Sequence, residues 1–129
     1  MAREKIATGR PFEQRVLHGA GIIASGRFLF TSGVTARNPE GEVVAAGDMQ
    51  GQVRQVFANL ALVLAAAGAD ISRVVKYTIY VTDMQAYQAA RAAWAPGMVD
   101  HPASTLVEVS KLVLPELRVE IEAVAVVGD

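Results

Sequence analysis

The residues of this chain best suited to chemistry are two glutamates on its last predicted strand, Glu120 and Glu122. Side chains alternate across a strand, so both carboxylates share one face with Arg118 while the other face is apolar. A strand this rich in alanine and β-branched residues is typical of the covered centre of a sheet, where a carboxylate is costly without a partner or a solvated cavity. The pair therefore indicates either a ligand cleft, or a structural role in an ion pair with Arg118 or on a half-exposed sheet face.

Composition excludes several classes of function. The net charge of −1 disfavours a nucleic-acid partner or an anionic membrane. The absence of cysteine removes disulfides, thiolate catalysis and cysteine-bound zinc. The two histidines, His18 and His101, lack the spacing of metal ligands, so we expect no metal centre. The first residues predict no signal segment and no stretch is long enough to span a bilayer, which together predict a cytoplasmic protein.

The apolar character of the chain points to association. With 129 residues we expect a single domain, 1–129, and hydrophobic residues make up 52% of it against 19% charged ones. A chain this apolar is expected to bury part of its surface against another copy of itself.

The pattern of apolar residues and turn signals predicts an element order of β-β-β-α-β-α-β-β. Asp48 and Asp83 are expected to cap the two helices, which end at Gly68 and at Pro96-Gly97 respectively. Two helices at separate points predict crossovers that cover one face of one sheet and leave the other face for a partner. The predicted strands are 14–18, 21–24, 27–32, 74–81, 103–109 and 117–127, with a short edge strand at 42–44 after the turn at 38–41.

An ordered set of short motifs resembles the RidA/YjgF family across nearly the whole chain from about Ile6. The matching segments are 28–33, 38–44, 55–68, 75–84, 101–103, 107–109 and 119–123. The resemblance implies a chorismate-mutase-like α+β protomer with two helices on one sheet face, and a homotrimer whose sheets form a central barrel. It also implies three small-molecule clefts between subunits, in which active members hydrolyse imines and enamines to a keto acid and ammonia without metal or cofactor.

Carried over by motif, the family's cleft would include Ser32 and Gly33 after the third strand, Ser104 near the start of the fifth, and Glu120 as the catalytic carboxylate. In imine-hydrolysing members the position of Ser104 holds an arginine that grips the substrate carboxylate. A serine hydroxyl cannot make that bidentate, charge-assisted pair, and its loss would cost about 1.5–3 kcal/mol, or one to two decades of affinity. Alternatively, Ser104 is a small core residue, and Ser32-Gly33 is only a turn.

Three further positions around the same expected pocket depart from the family. Leu106 replaces a cysteine, and the aromatic that often lines the cleft from the first strand is absent, its place falling near His18. On the second helix the family commonly has an asparagine where this chain has Arg91, which is long enough to reach the cleft from a new direction. The simpler interpretations are a surface or interface role for His18 and a solvated Arg91.

Two classes of function remain after these comparisons of residues. The first is an enzyme that hydrolyses or converts a small imine, enamine or related carbonyl metabolite, with Glu120 activating water and Ser32-Gly33 holding developing negative charge. The standard 2-aminoacrylate-type substrates are not expected, because position 104 carries no cation. The alternative is a trimeric binding or regulatory module that has lost the reaction. A nuclease, an activity sometimes ascribed to this family, ranks third, since charge and metal ligands give it no support. In either class we expect Glu120 to face the ligand and Glu122 to be structural, with Arg118 as its nearest candidate partner.

Overall fold

The computed structural model describes residues 2–129, which form a mixed α+β protomer, as predicted. No helix in this part of the chain is long and apolar enough to cross a membrane. The elements are β1 (Ala2–Ile6), β2 (Gly21–Ser25), β3 (Arg27–Phe30), α1 (Met49–Ala66), β4 (Val74–Val81), α2 (Met84–Ala89), α3 (Arg91–Trp94), β5 (Ala103–Glu108) and β6 (Val119–Gly128).

The main sheet has the strand order β3-β6-β4-β5, so the last strand of the chain lies in its interior. β6 is antiparallel to both β3 and β4, whereas β4 and β5 are parallel. A parallel pair needs a long crossover, and α2 and α3 supply it. β1 and β2 form a separate antiparallel pair. Gly26 joins β2 to β3 at φ +126°, where a side chain would overlap the carbonyl of Gly128.

The core lies between α1 and one face of the main sheet. Alternate residues of β6 are buried on that face, which confirms the two-residue period that the sequence predicts. The face of α1 toward them is buried at Met49, Val53, Leu60 and Leu64, and Phe57 meets the ring of Tyr77 edge-on with ring centroids 5.6 Å apart. The buried β6 residues are Val119, Ile121, Ala123, Ala125 and, beyond the alternation, Val126.

The predicted ends of the long helix are confirmed. The Asp48 side chain accepts a hydrogen bond from the Gly51 N–H at 3.0 Å, as an N-cap does. Gly68 has φ +75°, the left-handed conformation in which a glycine ends a helix at little cost. These local rules fix where α1 begins and ends, and therefore which of its side chains face the sheet.

The predicted first strand at 14–18 is wrong. Pro11–Arg15 forms a 3-10 helix, with Pro11 in its first turn, and the first strand is Ala2–Ile6. β1 lacks apolar alternation and is held by long-range polar contacts instead. The Arg3 guanidinium donates to the Val74 carbonyl at 2.9 Å, and Lys5 pairs with Asp100 at 3.0 Å.

Two other expected elements are shorter than predicted. The segment 42–44 is no strand, because only Val43 forms a bridge, to Arg37, around the turn in which the Asn38 N–H donates to the Glu42 carbonyl. The second helix is interrupted at Ala90 into α2 and α3, although Asp83 caps its start as predicted.

The second face of the main sheet carries apolar rings that no element of the described chain covers. Phe28 and Phe30 of β3 stand opposite Val126 and Val124 of β6 on this face. Phe30 is 73% exposed and Phe28 is 42% exposed, with ring centroids 6.3 Å apart. Below we call this surface the open face, and the surface toward the helices the helix face.

Candidate functional site

Glu120 and Glu122 both lie half-buried on the open face of β6. Across the sheet they stand opposite Tyr80 and Thr78 of β4, respectively. The Tyr80 hydroxyl donates to the Glu122 Oε1 at 2.9 Å, and this hydrogen bond raises the pKa of Tyr80. The prediction that Arg118 would pair with Glu122 is wrong, because within residues 2–129 the two side chains form no ion pair. Tyr80 holds Glu122 because the strand register, and not proximity along the chain, sets the contact.

Gly33 lies against the Glu120 carboxylate, and Ser32 precedes it in the chain. β3 ends at Phe30, and Thr31 still exchanges two hydrogen bonds with Ala123 of β6. The next bond to β6 comes from Val34, whose N–H donates to the Ile121 carbonyl at 2.8 Å. A side chain at position 33 would overlap the Glu120 carboxylate, and its Cβ would stand 2.8 Å from the Glu120 Cδ. Glycine at this position therefore leaves the room in which the carboxylate sits.

Ser32 and Gly33 are exposed residues, and their N–H groups make no hydrogen bond to any described residue. Two adjacent free amides beside a carboxylate can accept a developing negative charge while the carboxylate takes a proton. The structure thus brings together three of the predicted site residues: Ser32, Gly33 and Glu120.

The other four predicted residues line a cavity of about 250 Å³ on the helix face. Ser104 and Leu106 of β5 form part of its floor, in register with Tyr77 and Ile79 of β4, whose side chains belong to the core. The remaining wall residues come from the segment before β2 and from the crossover helices. The lining comprises residues 15–18 with His18, then Ile79, Tyr87, Gln88, Arg91, Trp94, Met98, Ser104 and Leu106.

Arg91 faces this cavity from the crossover, and its guanidinium carbon lies 5.2 Å from the centroid of the Trp94 ring. Trp94 stacks in turn on Tyr87, with centroids 5.8 Å apart and planes 10° from parallel, and its Nε1 donates to the Tyr87 carbonyl at 2.9 Å. Arg91 was predicted from the family motif, whereas the aromatic stack that positions it was not predicted. The spacing of three between Arg91 and Trp94 is the signal that could have predicted the contact.

The two groups of site residues lie on opposite faces of one sheet. Glu120 pairs with Tyr80 on the open face, whereas Ser104 pairs with Tyr77 on the helix face. Because residues in register point to the same side, the β-sheet itself separates the two groups. Within a single chain they cannot touch one ligand.

A buried glutamine that sequence reasoning missed positions the start of β6. Gln52 of α1 is completely buried, its Nε2 donates to the Glu116 carbonyl at 2.7 Å, and its Oε1 accepts from the Arg118 N–H at 2.8 Å. These bonds tie the chain just before Glu120 to the long helix. Its signal in the sequence is a polar residue within the apolar face of α1, three residues after Met49.

In the part of the chain that the structure describes, no three histidine or acidic side chains come close enough to hold a metal ion. The groups available for chemistry in the described residues are the Glu120 carboxylate, the amides of Ser32 and Gly33 and the polar residues of the helix-face cavity.

Comparison with known proteins agrees with this geometry. A family model described as Endoribonuclease L-PSP matches residues 11–127. A RutC family protein of Pyrococcus horikoshii is 36% identical over 104 residues, which cover 80% of this chain and 82% of the relative. The 2-iminobutanoate/2-iminopropanoate deaminase of Escherichia coli is 35% identical over 106 residues, covering 78% and 80% respectively.

A solved structure confirms the fold. The crystal structure of a conserved Rid family protein from Yersinia pestis matches with a TM-score of 0.86 at 32% identity, covering 98% of this chain and 99% of that one. The α+β, chorismate-mutase-like fold expected from the sequence is therefore confirmed. With a family model that spans almost the whole chain and curated relatives above one-third identity, this protein belongs to the RidA/YjgF family.

Proposed function

We propose that the protein is a homotrimer whose clefts between subunits convert a small imine, enamine or related carbonyl metabolite, without a metal or cofactor of its own. The observation that carries the proposal is the separation of the site residues by the sheet. The Glu120 group and the Ser104 group form one site only if the open face of one subunit meets the helix-face cavity of another.

The exposed rings of the open face support association. Phe30 is 73% exposed and Phe28 is 42% exposed, which is unfavourable for aromatic rings in water. Burying them against another subunit would stabilise the complex by about 25 cal/mol per Å² of apolar surface removed from water. Light scattering at micromolar concentration should report three times the chain mass of 13.7 kDa. A mass of 13.7 kDa would remove the shared cleft and with it the proposed site.

The chemistry proposed is hydrolysis of a carbon–nitrogen double bond. Glu120 removes a proton from water as the water oxygen bonds to the imine carbon, and the free amides of Ser32 and Gly33 hold the negative charge that develops. Glu120 passes that proton to the nitrogen, which gives a carbinolamine. The same carboxylate then takes the hydroxyl proton and delivers it to nitrogen as the carbon–nitrogen bond breaks, so nitrogen leaves as ammonia and the carbon becomes a carbonyl. The family includes imine deaminases, as the name of the Escherichia coli relative states.

The substrate that we propose differs from 2-iminobutanoate and 2-iminopropanoate, the two compounds in the name of that relative. Position 104 holds a serine, which offers a single neutral donor where an arginine would grip an α-carboxylate. We expect slow hydrolysis of 2-iminopropanoate, generated in place from alanine by an amino-acid oxidase and followed as ammonia released beyond the uncatalysed rate. Ser104→Arg should raise kcat/KM for this imine by about tenfold or more, since a charge-assisted bond contributes roughly 1.5–3 kcal/mol.

Glu120→Gln tests the role of the carboxylate. It should lower turnover of the best imine found by about 100-fold or more while the melting temperature changes by only a few degrees. The matched control is Glu40→Gln, at the exposed turn 38–41, where the carboxylate makes no hydrogen bond or ion pair with any residue from 2 to 129. Equal turnover in Glu120→Gln and the control would refute the catalytic assignment. Ligand binding without any turnover in the wild type would establish the binding-module alternative.

A further inference from the structure

The helix-face cavity contains two arginines whose charge is not balanced. Arg15 and Arg91 both line it, together with His18, and no lining residue is acidic. Neither guanidinium forms an ion pair or a hydrogen bond with any residue between 2 and 129. Within one chain, two cations that face this concave space without a carboxylate of the same chain raise the local positive potential, because field lines concentrate in a cleft with apolar walls.

Each of these guanidiniums is positioned by an aromatic ring. Arg91 lies over Trp94 at 5.2 Å, and Arg15 lies over Phe12 at 5.8 Å. A guanidinium that rests on a ring face keeps its N–H groups in its own plane, free to donate sideways. The stack therefore reduces the rotamer freedom that Arg91 would lose on binding, without using the donors that a carboxylate needs.

The rest of the cavity is apolar on the floor and flat on one side. Leu106 and Ile79 supply the floor, Met98 and Trp94 supply the side toward the crossover, and Ser104 adds one hydroxyl. The volume of about 250 Å³ suits a small organic molecule, below the size of a drug-like ligand.

We propose that this cavity binds a small monocarboxylate with an apolar or aromatic body, and that Arg91 is the residue that holds its carboxylate. The carboxylate is thereby held from the crossover helix, and the apolar body of the ligand lies over Leu106. A carboxylate held at position 104 would not place the apolar body there. The inference rests on the proposed function only in assigning the ligand to the same cleft. It concerns binding and can be tested without any turnover.

Phenylacetate is a suitable probe because it combines one carboxylate with a flat apolar body, and phenylacetamide is its neutral counterpart. Trp94 is the single tryptophan of the chain, so its emission reports directly on this cavity. Calorimetry gives a second measure of affinity that does not depend on the emission of a ring next to the substituted residue.

Wild-type protein should bind phenylacetate saturably below about 10 mM, and phenylacetamide at least about tenfold more weakly. Arg91→Gln should weaken phenylacetate binding by about tenfold and leave phenylacetamide within twofold, since only the charged pair is lost. Arg91→Lys should recover part of the loss. The matched control Arg54→Gln removes an exposed arginine of α1 outside the cavity and should bind phenylacetate like the wild type.

Three results would overturn the inference: no binding of phenylacetate to the wild type, equal binding of acid and amide, or equal losses in Arg91→Gln and Arg54→Gln. These outcomes are separable from those of the proposed reaction. Loss of phenylacetate binding in Arg91→Gln without any imine hydrolysis supports the carboxylate site and refutes the reaction, whereas imine hydrolysis with unchanged binding in Arg91→Gln does the reverse.

Discussion

Replacing Gln52 with leucine tests how the start of β6, and hence Glu120, is positioned. The Gln52 side chain is completely buried and pairs the Glu116 carbonyl at 2.7 Å and the Arg118 N–H at 2.8 Å, with a weaker bond to the Ala45 carbonyl at 3.4 Å. Leucine has a similar size but neither donates nor accepts. It would leave the Arg118 N–H and the Glu116 carbonyl, which meet at this buried side chain, without their partner, each at a cost of up to about 1–3 kcal/mol.

Part of that cost is offset because leucine is favoured in an apolar site, so we expect the free energy of unfolding to fall by about 2–4 kcal/mol. Urea denaturation followed by circular dichroism, at one fixed protein concentration, measures this change as a lower midpoint with an unchanged slope. Gln50→Leu is the matched control, on the same helix but exposed and without a hydrogen-bond partner among residues 2–129. A difference between the two variants below about 0.5 kcal/mol would refute the anchoring role of Gln52.

Gln52→Glu should make the folding stability depend on pH in a predictable direction. Its Oε1 can still accept from the Arg118 N–H, but an ionised carboxylate would repel the Glu116 carbonyl, whereas the protonated acid can donate to it. Burial would also raise the pKa of this glutamate above its unfolded value of about 4.3. Its stabilising contribution is therefore complete below that pH and is lost as the pH rises, so the variant should lose stability relative to the wild type between acid and neutral pH.

Two further predictions concern the tyrosines. Tyr80→Phe and Glu122→Ala remove the same hydrogen bond, so in a double-mutant cycle the double variant should lose less stability than the two single losses added together, and additive losses would contradict the contact. Burial raises the pKa of Tyr77 and of Tyr87, so both phenols ionise more easily in the unfolded chain. Their contribution to stability is full below the unfolded pKa of about 10 and falls above it by about 1.4 kcal/mol per pH unit for each. Tyrosinate absorbance should then appear together with unfolding, and titration of both in the folded protein would contradict their burial.

The features that sequence predicted well depend on local chemistry. The two-residue period of β6 predicted which residues face the core, because a strand alternates whatever its neighbours are. The caps at Asp48 and Asp83 predicted where α1 and α2 begin, because an N-cap needs only the next turn of its own helix. The family motifs added the fold class, which alternation alone does not determine.

The features that were missed depend on contacts between distant parts of the chain. β1 is held in place by hydrogen bonds from Arg3 to the Val74 carbonyl and from Lys5 to Asp100. No pattern within Ala2–Ile6 itself predicts a strand. Tyr80 rather than Arg118 pairs with Glu122, because the β4–β6 register is set by the whole sheet. The same limit applies to the helix-face cavity. Its walls come from residues 15–18, 79–98 and 104–106, and no local pattern shows that these three segments meet.

The central claim is that the open face of one subunit and the helix-face cavity of another share one cleft. The chain has no cysteine, so cysteines introduced at Ser104 and Glu120 would be the only thiols present. A short bismaleimide links thiols that lie close together, and within one chain these two positions are on opposite faces of the sheet. A chain with one cysteine can be linked to only one other chain, whereas a chain with both can be linked to two.

The direct measurement is therefore the mass of cross-linked chains on a denaturing gel for the Ser104→Cys and Glu120→Cys double variant beside each single variant. The shared cleft predicts species at two and three times the 13.7 kDa chain mass in the double variant, and no species at three times that mass in either single one. A double variant that stays at the mass of one chain, or that forms only the dimer seen with a single cysteine, would contradict the shared cleft.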